Sequence, residues 1–120
     1  MIPVLVALLM TGSLTGADMS GTWTLNMTDF SGHPLSLDCT FKQDGTKVNG
    51  HCGDAAVKWT GTMSGRKVAI QHQTGQKNEI TAHYSGEMNE AGTTVKGKWT
   101  VPDPNERGKT KSGDFTFVRR

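Results

Sequence analysis

A chain of 120 residues allows one domain. Thirteen Lys and Arg against eleven Asp and Glu leave a net charge of +2, too weak and too evenly spread to make nucleic acid or anionic lipid the main partner. Only 34% of the residues are hydrophobic, and an N-terminal run takes a good share of them, so a covalent staple would help a small core.

Residues 1–17, MIPVLVALLMTGSLTGA, carry no charged side chain. An apolar run from Ile2 to Met10 gives way to small residues ending at Ala17, which is the shape of a secretory signal cut after Ala17. No Lys or Arg precedes the run, so the amino group of Met1 or a longer start must supply the positive end. The run falls short of the ~20 apolar residues a membrane span needs. A buried N-terminal helix is the competing reading, but the stretch lacks polar residues on a helical period. The expected mature domain is 18–120, secreted or periplasmic, with no membrane association after cleavage.

From Asp18 onward, alternation replaces helical periodicity. Trp23, Leu25 and Met27 share one face of a first strand. Leu35, Leu37, Cys39 and Phe41 alternate in a second, and Val48, Gly50 and Cys52 in a third. Val57, Trp59, Gly61 and Met63 follow, then Val68, Ile70 and His72, then Ile80, Ala82, Tyr84, Gly86 and Met88. Val95, Gly97, Trp99 and Val101 form the seventh set, and Phe115, Phe117 and Arg119 the eighth. The links QDGT at 43–46, SGR at 64–66, TGQKN at 74–78 and NEAGT at 89–93 carry Gly or Asx residues suited to tight turns. VPDPNERGKTKS at 101–112 reads as a long mobile loop.

Consecutive strands with one apolar face must bury that face. The expectation is an all-β, single antiparallel up-and-down β-barrel of about eight strands, which also removes the sheet edges. A two-sheet sandwich is the competing solution. Gly50, Gly61, Gly86 and Gly97 fall at inward positions, where they either let strands bend or leave room for a ligand.

Cys39 and Cys52 flank Asp44-Gly45. A two-residue loop at Gly45-Thr46 would set Gln43 opposite Val48, Phe41 opposite Gly50 and Cys39 opposite Cys52, close enough for a disulfide. A secreted chain would oxidise the pair. A metal site using His51 is disfavoured, because neighbours on a strand point to opposite faces. In the last strand Arg119 shares parity with Phe115 and Phe117. If the terminal strands pair, its guanidinium meets the indole of Trp23, with Gly21 letting the chain bend into the strand. The plainer alternative is a core tryptophan and a solvated arginine.

Gly21-Thr22-Trp23 opening the first strand, with an arginine ending the last, resembles the calycin barrels: lipocalins, avidins and their relatives. That resemblance implies a small up-and-down barrel, many of which hold a small ligand inside. GTWTL at 21–25 is also similar to the start of avidin-type proteins, but their Asn, Ser, Tyr and Trp set for biotin does not map here, and no biotin residue is carried over. DMSGTWTL at 18–25, with Cys39 and Cys52, is similar to the small periplasmic inhibitors of bacterial serralysin-type metalloproteases. Those are barrels with one disulfide and a free N-terminal trunk that enters the enzyme's cleft. Only three residues separate the expected cleavage point from Gly21.

His33, His51, His72 and His83 show no HxH or HExxH spacing, and no Gly-x-Ser-x-Gly occurs. Nothing forms a nucleophile, base and orienter set, so the chain is not expected to be an enzyme, and no metal or cofactor is expected. The expected function is a secreted non-catalytic binding protein for a small apolar or aromatic molecule. Trp59, His72, Tyr84 and Trp99 are the candidate ligand-binding residues, with Gly21, Trp23 and Arg119 structural. The alternative is a protein-binding inhibitor or interaction module acting through its rim or N-terminus.

Overall fold

Alternating side chains and glycine turns give eight strands: β1 (Gly21–Thr28), β2 (Pro34–Asp44), β3 (Lys47–Cys52), β4 (Trp59–Ser64), β5 (Lys67–Thr74), β6 (Ile80–Met88), β7 (Thr94–Pro102) and β8 (Thr110–Arg119). The structure, a computed structural model, describes residues 18–74, 77, 80–103 and 105–120. The expected signal at 1–17 lies outside the described residues.

Each strand pairs antiparallel with the next, and β8 returns to β1 to close the barrel. Closure rules out the sandwich. It also supplies the architecture that the calycin resemblance implies. The burial follows the period of two: Trp23, Leu25 and Met27 face in on β1, and Thr22, Thr24 and Asn26 do not. The β2–β3 hairpin turns at Gly45, whose φ of 63° suits glycine, and pairs Cys39 with Cys52 as the turn chemistry predicts. Their disulfide spans 4.0 Å between Cα atoms. In the chain-entropy model, a loop of this length is stabilised by about 3 kcal/mol.

Two expectations need correction. Residues 101–112 are not loop throughout: Val101 pairs with Lys111 and Pro102 with Thr110. The β7–β8 ladder thus runs on to Pro102, and the Asp103 N–H beyond it still donates to the Lys109 carbonyl at 2.9 Å. Val57 is not in a strand but turns back on Asp54, whose carbonyl accepts its N–H at 3.1 Å.

The inward glycines serve the strands. A Cβ on Gly61 would sit 2.0 Å from the Ala69 carbonyl oxygen, and one on Gly97 1.9 Å from that of Ser85. Gly50 and Gly86 are equally hemmed in by Thr40 and Lys96. The backbones of neighbouring strands occupy that space, so these glycines permit a tightly coiled sheet and do not make room for a ligand.

Aromatic rings fill the interior from the end where β1 begins. Phe117 packs edge-on against Trp23 (6.3 Å between centroids), Phe41 (5.5 Å) and Phe115 (5.4 Å). Phe115 then meets Tyr84 at 5.4 Å. This column sets the floor on which the site stands.

Candidate functional site

The hairpin turns after β2, β4 and β6 lie at one end of the barrel, with residues 18–20 and the C-terminus. That end is shut. Arg119 lies 4.2 Å over the Trp23 ring. Its Nε donates to the Gly92 carbonyl (2.8 Å), Nη1 to that of Ser20 (2.8 Å) and Nη2 to that of Asp18 (2.6 Å). Gly21 has φ 126°, and a Cβ there would meet Nη1 at 3.0 Å, so glycine is what lets the chain pass beneath the guanidinium. Met19 is fully buried; its carbonyl accepts the Trp23 indole N–H at 3.0 Å and its N–H donates to Gln43 Oε1 at 2.8 Å. Residues 18–20 are therefore pinned across the end and do not project. Sequence reasoning treated them as a short lead-in and missed Met19 as a plug; one lone apolar residue ahead of a strand carries no period to find it by.

The other end is open. There the inward residues of β1–β6 and two loops surround a cavity of about 290 Å³. Its wall is Met27 from β1, Leu35 and Leu37 from β2, Cys52 from β3, Trp59 from β4, His72 from β5 and Tyr84 from β6. Asp29, Phe30, Val57, Gln73 and Thr74 ring its mouth. Larger hollows elsewhere lie against outward-facing side chains such as Lys58, Thr60 and Gln71 and open to solvent.

Three rings form one cluster at the floor. Trp59 stacks on His72 with centroids 4.0 Å apart and 24° between planes, and Tyr84 lies 4.8 Å from Trp59 and 5.5 Å from His72. His72 and Trp59 are direct cross-strand partners, as are Tyr84 and Ile70 one pair further in. His72 Nδ1 is 3.3 Å from the Gln73 carbonyl, which can only accept, so Nδ1 carries the proton. Nε2 is then the acceptor for the Tyr84 hydroxyl at 3.0 Å. Burial lowers the His72 pKa, partly offset by the bond to Gln73, and keeps the ring neutral at pH 7. Burial alone raises that of Tyr84. The pair is a neutral, hydrogen-bonded polar spot in an apolar wall, with lone pairs left on the tyrosine oxygen.

Three of the four candidate ligand-binding residues therefore meet in one place. Trp99 does not join them. It is buried beside Phe30 (5.0 Å), its ring lies flat over Gly113, and its indole N–H has no partner among the described residues. Trp99 pairs with Gly113 across the β7–β8 ladder, and the missing side chain lets the indole lie on the strand, outside the cavity wall. Phe30 and Asp29, which sequence reasoning passed over, reach the mouth from the β1–β2 loop. The loop is folded on Asp29: its Oδ1 accepts from the N–H of Ser31 and of His33, both at 2.9 Å, and Lys111 Nζ donates to the Phe30 carbonyl at 3.2 Å. His33 lies at the same lip, 3.6 Å from Asp29. His83 points outward, and His51 sits outside the wall with a buried Nδ1 that has no partner among the described residues.

No protein-family model matches the chain, and no curated protein matches it. Among solved structures, "Structure of EF1p2_mFAP2b bound to DFHBI" covers 92% of this chain and 100% of that one, with a TM-score of 0.62 and 15% identity. At that identity the likeness is one of fold.

Proposed function

We propose that this chain is a non-catalytic binding protein that takes a small, flat, apolar or aromatic molecule into the open end of its barrel. The observation that carries the reading is the cavity of about 290 Å³ walled by Met27, Leu35, Leu37, Trp59 and Tyr84 above a filled aromatic floor. That volume lies just under the ~300–1,000 Å³ of ligand pockets, so it limits the guest to a molecule of one or two rings. The neighbour of like fold, EF1p2_mFAP2b, was solved bound to DFHBI, which supports small-molecule binding by such a barrel. The polar pair at the floor supports binding over catalysis, since His72 turns to Tyr84 and Gln73 and not to a nucleophile. Secretion to an oxidising compartment, after removal of residues 1–17, is supported by the Cys39–Cys52 disulfide.

Native mass spectrometry of protein purified from its own source tests the reading. The expected spectrum shows a retained small molecule, lost on denaturation. A clean mass, together with no binding in a panel of one- and two-ring aromatics, would refute it.

A further inference from the structure

The residues that line the cavity carry charge of one sign. Among the described residues Asp29 is the acidic side chain on its wall, and no lysine or arginine is part of that wall. The Asp29 pKa is held below the usual carboxylate value, first by the backbone N–H of His33 and then by that of Ser31. Those bonds fall on Oδ1, and Oδ2 takes no part in them. Lys111 reaches the rim from β8, where its ammonium donates to the Phe30 carbonyl and keeps its charge, outside the residues that line the cavity. His33 flanks Asp29 on the solvent side, and most of its side chain is exposed. Deeper in, the Tyr84 hydroxyl has its proton taken up inside the protein, between His72 Nε2 at 3.0 Å and Met27 Sδ at 3.8 Å, and offers a ligand acceptor lone pairs. The site thus offers a ligand acceptors and one negative charge at the mouth, over flat ring surfaces.

We infer that the cavity takes a planar aromatic amine, its ring against Trp59 and Tyr84 and its protonated nitrogen at the Asp29 carboxylate, and discriminates against the matching aromatic carboxylate. A cation gains from Asp29 and from the electron-rich ring faces. A carboxylate would lose water, find no cation on the wall and face Asp29. The inference rests on the binding reading above and adds the charge of the ligand to it.

Titration calorimetry of the whole protein at pH 8 and low salt, with indole, tryptamine and indole-3-acetate, separates the two claims. The three share a ring and differ in charge. The expected order is tryptamine roughly two- to fivefold tighter than indole, as for an exposed ion pair, and indole-3-acetate weakest. Added salt shrinks the tryptamine advantage. Asp29→Asn, which keeps an oxygen to accept from Ser31 and His33, brings the tryptamine-to-indole ratio to about one. If indole binds but the three bind alike, or the acetate binds tightest, the charge inference falls and the binding reading stands. Tryptamine keeping its full advantage in Asp29→Asn overturns the role given to Asp29. Failure of all three to bind counts against the binding reading itself, and the charge inference falls with it.

Discussion

Replacing Arg119 by alanine removes three hydrogen bonds to the carbonyls of Asp18, Ser20 and Gly92 and a guanidinium 4.2 Å above Trp23. The stacked cation contributes ~1–2 kcal/mol at a half-desolvated site. Each charge-assisted bond is worth ~1.5–3 kcal/mol where water cannot replace it, but at this end of the barrel water recovers much of that. About 3 kcal/mol in all is the expected loss for Arg119→Ala. Arg119→Lys keeps the charge but not the fork, and an ammonium cannot serve three carbonyls around a plane, so roughly half that loss is expected. Urea denaturation reads both as a lower midpoint with unchanged slope. For a domain of this size, 3 kcal/mol lowers Tm by roughly 10–20 °C. A cycle with Trp23→Phe, which keeps a ring but loses the N–H bond to Met19, isolates the coupling between the two side chains. An Arg119→Ala protein within about 0.5 kcal/mol of the parent would mean that the closed end is held by β1–β8 pairing alone, and the reasoning would be wrong.

Gly97→Ala should cost about 3 kcal/mol or more, because its Cβ would fall 1.9 Å from the Ser85 carbonyl oxygen and both are backbone-bound. Gly108→Ala, with φ 80° and open space around it, should cost only about 1 kcal/mol, and equal losses for the two would refute the close-approach argument. His72, whose pKa burial depresses in the folded protein, contributes stability that is full above the ordinary histidine value of about 6.5 and is lost as pH falls toward the folded value, since the unfolded chain takes the proton first. Urea midpoints measured from pH 8 to pH 5 should therefore fall, and His72→Gln should flatten that slope; an unchanged slope would remove His72 as its source.

Parity and turn chemistry told which side chains face inward, and they told it well, because a period of two survives any later arrangement of the strands. The register of Cys39 on Cys52 was legible for the same reason: a two-residue loop leaves one pairing that buries Phe41 and Val48 together. Height along the barrel axis was not legible. Trp59 and Trp99 have equal parity, yet one stands in the cavity wall and the other lies over Gly113, because each is decided by the residue across its own ladder. The reach of the β1–β2 loop was hidden too. Phe30 arrives at the mouth only because Asp29 gathers the backbone of Ser31 and His33 around one oxygen, and because Lys111, 81 residues further along the chain, meets its carbonyl.

The two ends of the barrel solve different problems with similar side chains. At the shut end the indole of Trp23 is enclosed on all sides: an arginine over its face, Phe117 at its edge, and Met19 answering its N–H. At the open end Trp59 stacks on a histidine that is bonded in turn to Tyr84, and the side chains above them, Phe30, Leu35, Leu37 and Val57, are only partly buried. Those four come from β2 and two loops and leave apolar surface in contact with water. The ring cluster beneath them already has its hydrogen bonds and its packing, so a ligand entering from above would have little to rearrange. Preorganisation of this kind follows from the fold: the Cys39–Cys52 disulfide ties β2 to β3 at the level of the cavity, and the aromatic column below leaves the rings no room to sink.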